Sequence, residues 1–142
     1  MKRAANILLL VGAIIAIVST VLYLIAGIVF LVLGAVDKAT MIQWIQDGTV
    51  HTGVNGSAEE QAIAVKAVFL VVGVIFLVLT AFSLADSIIA FKGRNAQTKT
   101  LYILNIVFGA LSGVVVNLVG GILGVVAVCQ EENRKAVENN AN

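Results

Sequence analysis

The stretch AIAVKAVFLVVGVIFLVLTAFSLADSIIAF, residues 62–91, is followed directly by the basic segment KGRNAQTK, residues 92–99. A helix needs roughly 20 apolar residues to cross about 30 Å of hydrocarbon, and this stretch is long enough. Short segments rich in Lys and Arg stay on the cytoplasmic side, so we expect residues 92–99 to form a cytoplasmic turn. Similar apolar runs occupy residues 7–36 and 101–129 on either side. The sequence therefore predicts a membrane domain arranged around residues 62–91.

The composition supports this class of protein. The chain has 142 residues, of which 60% are hydrophobic and 12% are charged. A soluble domain carries about 25% charged residues, so too little charge is present to cover a water-facing surface. We expect a single membrane domain over residues 1–130 and a polar, disordered tail over residues 131–142. The formal net charge of +1, with basic residues only at the ends of apolar runs, indicates no nucleic-acid partner.

The first apolar run has a basic start and a regular stripe of small and aromatic residues. Lys2 and Arg3 precede it, which predicts a cytoplasmic N-terminus. The run continues to residue 36, beyond the roughly 7–15 residues of a signal peptide, so we expect a retained span. Small residues at helical spacing let a neighbouring helix approach closely. The predicted packing stripe comprises Gly12, Ala16, Ser19, Tyr23, Gly27, Phe30 and Gly34.

The loop at residues 37–61 is the only sizeable polar segment before the tail, and we expect it to be extracytoplasmic. Met41 and Ile45 share a face of a short predicted amphipathic helix. Trp44 lies beside them and is a candidate interfacial anchor, because Trp prefers the headgroup level of a membrane. Gly48 is expected to end this helix.

A capping box follows in the same loop. Ser57 and Glu60 have the spacing at which each side chain bonds the other residue's backbone amide. This predicts that the second long helix begins at Ala58, before the apolar run itself.

Asp86 is the only carboxylate within the predicted spans, where an ionisable residue is a functional hypothesis by default. It lies close enough to the cytoplasmic turn to reach the interface or to pair with Lys92 or Arg94. The second interpretation is that Asp86 makes a structural polar contact within the helix bundle. In a hairpin turning near Ala96, Asn105 would lie at the same depth, which predicts an Asp86–Asn105 hydrogen bond. The third interpretation is that Asp86 handles ions or protons.

The third apolar run carries polar and small residues at spacings of three and four. The sequence favours one continuous helix with this stripe as a packing surface, which would place Cys129 and the tail on the extracytoplasmic side. The alternative is a break near residues 112–113, giving a re-entrant hairpin or two short helices and a four-helix arrangement. The candidate contact residues are Asn105, Gly109, Gly113, Asn117, Gly120 and Gly124.

The segments LNIVFGALSG (residues 104–113) and NLVGGILG (residues 117–124) complete the pattern. With them, the chain resembles small multispan membrane proteins of Gram-positive bacteria that carry a domain of unknown function. The resemblance implies a multi-pass protein of a bacterial plasma membrane. Such proteins often have four spans with two short final helices, whereas this chain has no polar break in its last run. The resemblance supplies no catalytic residues.

Catalytic groupings are missing from the sequence. His51 is the only histidine and Cys129 the only cysteine, so neither a catalytic triad nor a metal site is predicted. We expect no enzyme activity and no cofactor. The leading hypothesis is a non-enzymatic membrane protein that associates through its helices with a membrane or envelope partner, in a regulatory, accessory or immunity-type role. The alternative is a homo-oligomeric channel or transport subunit.

Overall fold

The computed structural model describes residues 2–95 and 98–140, and every regular element in these ranges is a helix. Three of the helices are long and apolar enough to cross a membrane, which confirms the all-helical class. Two of them correspond to the predicted spans at residues 7–36 and 62–91, whereas the third, Val115–Asn139, covers only part of the predicted span at residues 101–129. Ala96, where the hairpin was expected to turn, lies outside the described residues. The helices are α1 (Lys2–Ala35), α2 (Lys38–Gln46), α3 (Ala58–Gly93), α4 (Lys99–Ser112) and α5 (Val115–Asn140).

The first loop folds as its sequence predicts. The short helix α2 is present, with Met41 buried and Trp44 half-buried, and Gly48 follows it with a φ of +73°. The capping box is also confirmed. The Ser57 amide donates to Glu60 Oε2 at 2.9 Å, and the Glu60 amide donates to Ser57 Oγ at 3.3 Å. These bonds satisfy amide groups at the helix start, so α3 begins at Ala58.

The third apolar run is broken, so the continuous third span is wrong and the two-helix alternative is observed. Gly113 ends α4 in the left-handed conformation, with a φ of +75°, which glycine adopts at little cost. A Cβ atom at Gly113 would meet nothing within 4 Å, so this residue makes a turn rather than a packing contact. The stripe could not reveal the break, because both arms of a hairpin can present the same three- and four-residue spacing to their neighbours.

Helices α4 and α5 form an antiparallel hairpin with very close backbone approach. A Cβ atom at Gly109 would lie 2.7 Å from the amide nitrogen of Leu118, and one at Gly121 would lie 2.7 Å from the carbonyl oxygen of Tyr102. Small residues make such contacts possible between membrane helices. The tail was expected to be disordered, but it continues α5 as a helix to Asn140.

The chain divides into two compact units. The first, the hairpin unit, comprises Met1–Val21 and Leu79–Asn142 and contains the start of α1, the end of α3, and both α4 and α5. Its apolar core forms around Leu9, Tyr102 and Val128. Helices α1 and α5 run antiparallel here, since Leu9 approaches Gly120 while Lys2 Nζ lies 3.2 Å from Glu131 Oε2.

This direction of α5 corrects the expected position of the C-terminal segment. Glu131 lies beside Lys2, so α5 leaves the apolar core at the same end of the hairpin unit at which α1 begins. Cys129 and the following polar turns therefore lie at that end and not at the opposite one. The physical reason is the turn at Gly113, which sends the chain back towards its starting end.

The second, the loop unit, comprises Leu22–Val78 and contains the end of α1, all of α2, and the start of α3. Its two long helical segments meet through glycines facing leucines, such as Gly34 facing Leu70 and Gly73 facing Leu31. Phe30 stacks on Phe76 with ring centroids 5.7 Å apart. The glycines of the α1 stripe in this unit are thus buried in contacts within the chain.

Candidate functional site: a buried carboxylate held by both arms of the hairpin

Asp86 is fully buried in the hairpin unit. Its Oδ2 atom accepts a hydrogen bond from Ser112 Oγ at 2.7 Å and another from Asn117 Nδ2 at 2.8 Å. Ser112 is the last residue of α4 and Asn117 belongs to the first turn of α5. One carboxylate on α3 therefore holds both arms of the hairpin next to their turn. We call this arrangement the Asp86 clamp.

Neighbouring residues on α1 and α3 complete the surroundings of the clamp. Ser83 lies three residues before Asp86 on the same helical face, and its hydroxyl donates to the Ala16 carbonyl at 2.8 Å. Gly12 makes room for Asn117, because a Cβ atom at Gly12 would overlap the Asn117 side-chain oxygen. The glycine in α1 is thus needed for Asn117 to reach Asp86.

The predicted Asp86–Asn105 hydrogen bond is wrong. Asn105 Nδ2 donates instead to the Leu101 carbonyl at 2.7 Å and, at 3.4 Å, to the Ile89 carbonyl. The prediction assumed that α3 and α4 end level with each other at the turn. In the structure, Gly93 at the end of α3 contacts Asn105, the seventh residue of α4. The two helices are therefore shifted by six residues, or about 9 Å at 1.5 Å per residue.

The expectation that Asp86 reaches the interface or pairs with Lys92 or Arg94 is also wrong. The side chain is fully buried and makes no ion pair with any described residue. Since the basic segment begins six residues further along α3, at Lys92, the carboxylate could have reached it only by pointing outward. Hydrogen bonds from two hairpin donors hold it inward instead.

Buried acceptor oxygens without a donor lie in the clamp and, at Asn105, elsewhere in the hairpin unit. Asp86 Oδ1, Asn117 Oδ1 and Asn105 Oδ1 are buried and accept no hydrogen bond from any described residue. A buried acceptor without a donor costs about 1–3 kcal/mol, so these oxygens are places where a proton or another donor would be favourable. The described residues contain no group of three or more His, Cys, Asp or Glu side chains that could hold a metal ion.

The remaining predicted contact residues are distributed over both units. Gly109, Gly120 and Gly124 are buried at close helix contacts, with Gly124 against the Tyr102 ring. Gly113 is exposed in the turn, and Trp44 belongs to the loop unit. Thus Asp86 and Asn117 meet directly, whereas Asn105 binds backbone carbonyls.

Ser112 is a partner of Asp86 that the sequence pattern did not predict. It stands immediately before Gly113, and Asn117 stands four residues after it, in a run that is otherwise apolar. Two polar side chains flanking a glycine within an apolar run are the available signal for a polar contact at a hairpin turn. Comparison with models of known protein families, with curated proteins and with solved structures finds no match for this chain.

Proposed function

We propose that this chain is a non-enzymatic, multi-pass protein of a bacterial plasma membrane that associates with another membrane or envelope component. The proposed roles are regulatory, accessory or immunity-type. The N-terminus is cytoplasmic in this proposal, because Lys2 and Arg3 precede the first long apolar helix. The resemblance of the Gly- and Asn-rich last run to small membrane proteins of Gram-positive bacteria supports the location in a bacterial plasma membrane.

Helices α1 and α3 cross the membrane in this proposal, while α4 and α5 form a re-entrant hairpin from the cytoplasmic side. The apolar part of α5, residues 115–129, would span only about 22 Å of the roughly 30 Å of hydrocarbon. Gly12 faces Asn117, so the hairpin turn lies level with about residue 16 of the 34-residue helix α1. The ion pairs Lys2–Glu131 and Lys99–Glu132 join the starts of α1 and α4 to the same turn of α5. They support a hairpin that enters and leaves the membrane on the side at which α1 begins.

The observation that carries the proposal is the Asp86 clamp. Its polar groups join helices of the same chain, which supports a role in positioning the hairpin. The stripe glycines other than Gly113 likewise make close contacts within the chain, so we do not assign the partner surface to them. Exposed apolar side chains also lie on α1 and α3, and the partner surface that we propose is the outer face of the hairpin, which the clamp positions. Its exposed apolar residues include Val107, Leu111, Val119, Ile122 and Val126.

Site-specific photo-crosslinking in the native membrane tests this proposal. A photoreactive residue at Val107 or Ile122 is expected to capture one defined partner, whereas one at Val29, an exposed position of the loop unit, is expected to capture lipid only. Asp86→Ala should reduce capture because it removes the acceptor that positions the hairpin. Asp86→Asn retains an acceptor oxygen and should preserve capture. Capture at Val29 but not at Val107 or Ile122 would contradict the proposal.

A homo-oligomeric channel or transport subunit is the second candidate function. The specific observation in its favour is the buried Asp86 Oδ1 atom, which has no donor among the described residues. An ion- or proton-handling role predicts that Asp86→Asn changes ion flux in reconstituted vesicles while assembly survives. Association with a partner predicts unchanged flux and an intact complex for the same variant.

A further inference from the structure

The polar end of the hairpin unit, here called the basic end, carries most of the positive charge of the chain. Seven of the nine Lys and Arg residues belong to this unit, all of them outside its apolar segments. They are Lys2, Arg3, Lys92, Arg94, Lys99, Arg134 and Lys135. Ion pairs join the starts of α1 and α4 to the same turn of α5, through Glu131 and Glu132 respectively.

Carboxylates neutralise only part of this charge. The basic end contains three of them, Glu131, Glu132 and Glu138, against seven cations. The hydrogen bond and the charge of Lys2 lower the pKa of Glu131, which therefore stays ionised. Among the described residues, Arg3 and Lys92 form no ion pair, and neither does Arg94. A positive surplus therefore remains.

Two open cavities lie beside Lys2, and each is lined by two cationic side chains, one apolar residue and the carboxylate of Glu131, which pairs with Lys2. The larger, of about 400 Å³, is lined by Lys2, Ala127, Gln130, Glu131 and Arg134. The smaller, of about 280 Å³, is lined by Lys2, Val128, Glu131, Glu132 and Lys135. Ala127 and Val128 are among the last residues of the apolar run, so both cavities lie where hydrocarbon would give way to lipid headgroups.

We propose that the larger cavity binds the headgroup of an anionic phospholipid from the surrounding leaflet, with its phosphate between Lys2 and Arg134. A guanidinium group matches phosphate geometry with two parallel hydrogen bonds. Arg134 is available for this, because its side chain is 73% exposed and its Nε atom lies 3.9 Å from Glu138. The acyl chains of the lipid would leave the cavity on its apolar side, at Ala127. This inference rests on the proposed membrane insertion but not on a protein partner.

Native mass spectrometry of the purified full-length chain tests this binding site in the absence of any partner. The detergent contains equal amounts of phosphatidylglycerol and phosphatidylcholine, and bound phosphatidylglycerol is expected to predominate. The double variant Lys2→Gln/Arg134→Gln should lower phosphatidylglycerol binding by on the order of tenfold. The matched control Lys92→Gln/Arg94→Gln removes the same charge from the same end without touching the cavity, and it should retain most of the binding.

Two results would overturn the inference. One is equal binding of the two lipids by the unmodified chain. The other is an equal loss in both double variants, which would indicate general charge attraction. The single variant Arg134→Gln covers the case in which the double variant misfolds, because this exposed side chain contributes nothing to the core. It should lower binding by roughly fivefold with an unchanged circular dichroism spectrum, and a loss of less than about twofold would also count against the cavity.

Discussion

The hairpin unit and the loop unit are held together by different chemistry. Every buried polar side chain among the described residues belongs to the hairpin unit, and several of them join its helices through hydrogen bonds. The loop unit instead uses glycine–leucine contacts and the ring contacts Tyr23–Phe76, Phe30–Phe69 and Phe30–Phe76. In a bilayer, helices gain little from excluding lipid, so close packing and polar contacts must hold them together.

The two units also differ in charge. The hairpin unit contains seven basic and four acidic residues, one of the acids being the buried Asp86, whereas the loop unit contains two basic and four acidic residues. This asymmetry is the one expected when the ends of the hairpin unit stay in the cytoplasm and the loop is translocated. The comparison shows that one short chain can contain a unit joined by buried hydrogen bonds and a unit joined by glycine–leucine and aromatic ring contacts.

The largest expected effect concerns the side of the membrane that each unit's polar residues face. A membrane-impermeant thiol reagent applied to intact cells should not label Cys129 but should label Thr49→Cys in a Cys129→Ser background. Cys129 should become reactive once the membrane is permeabilised, which controls for its partial burial. Labelling of Cys129 in intact cells would place the end of the hairpin unit that carries Lys2 and Glu131 outside the cytoplasm and would contradict the proposed orientation.

The next effect tests how tightly each unit is packed. Gly109→Ala brings a methyl group 2.7 Å from a backbone nitrogen of α5, so the hairpin must separate. Overpacking of this kind costs about 1–3 kcal/mol, and we expect the upper part of that range. The matched change Gly27→Ala in the loop unit meets the end of the Leu77 side chain at 3.1 Å, which can move aside. Its effect on the free energy of unfolding, measured by denaturant titration in mixed micelles, should be below about 1 kcal/mol. Equal costs in the two units would remove the proposed difference in packing.

The smallest effect concerns the polar clamp itself. Asp86→Ala leaves the Ser112 hydroxyl and the Asn117 amide without their acceptor, and we expect a loss of about 1–2 kcal/mol in the free energy of unfolding. A double-mutant cycle sharpens this prediction. Asp86→Ala and Ser112→Ala should be non-additive, because their side chains share a hydrogen bond, whereas Asp86→Ala and Asn105→Ala should be additive. Additivity in the first pair would mean that the clamp contributes no coupling energy.

Several features of the fold were predictable because their causes are local. The helix at residues 38–46, the capping box at Ser57 and Glu60, and the start of α3 depend on side chains that bond or pack within a few residues. The existence of long apolar helices follows from composition alone. These features depend only on residues that are close together in the chain, so they can be predicted from a single sequence.

The candidate site was only partly predictable. Asp86 stands out as a carboxylate in an apolar run, and Asn117 as one of the polar residues in the last run. Their pairing does not follow from spacing, since it depends on a six-residue shift between α3 and α4. Ser112 became a partner only because α4 ends at that residue.

The sequence by itself determined that this chain is helical, apolar and divided by a polar loop, because these properties follow from hydropathy, helical period and capping within short segments. Only the tertiary structure decided whether the last run is one helix or two. A Gly- and Asn-rich stripe satisfies the contacts of a straight span and of a hairpin equally well. Close backbone approach between α4 and α5 and two hydrogen bonds to Asp86 select the hairpin, with Gly113 supplying the turn.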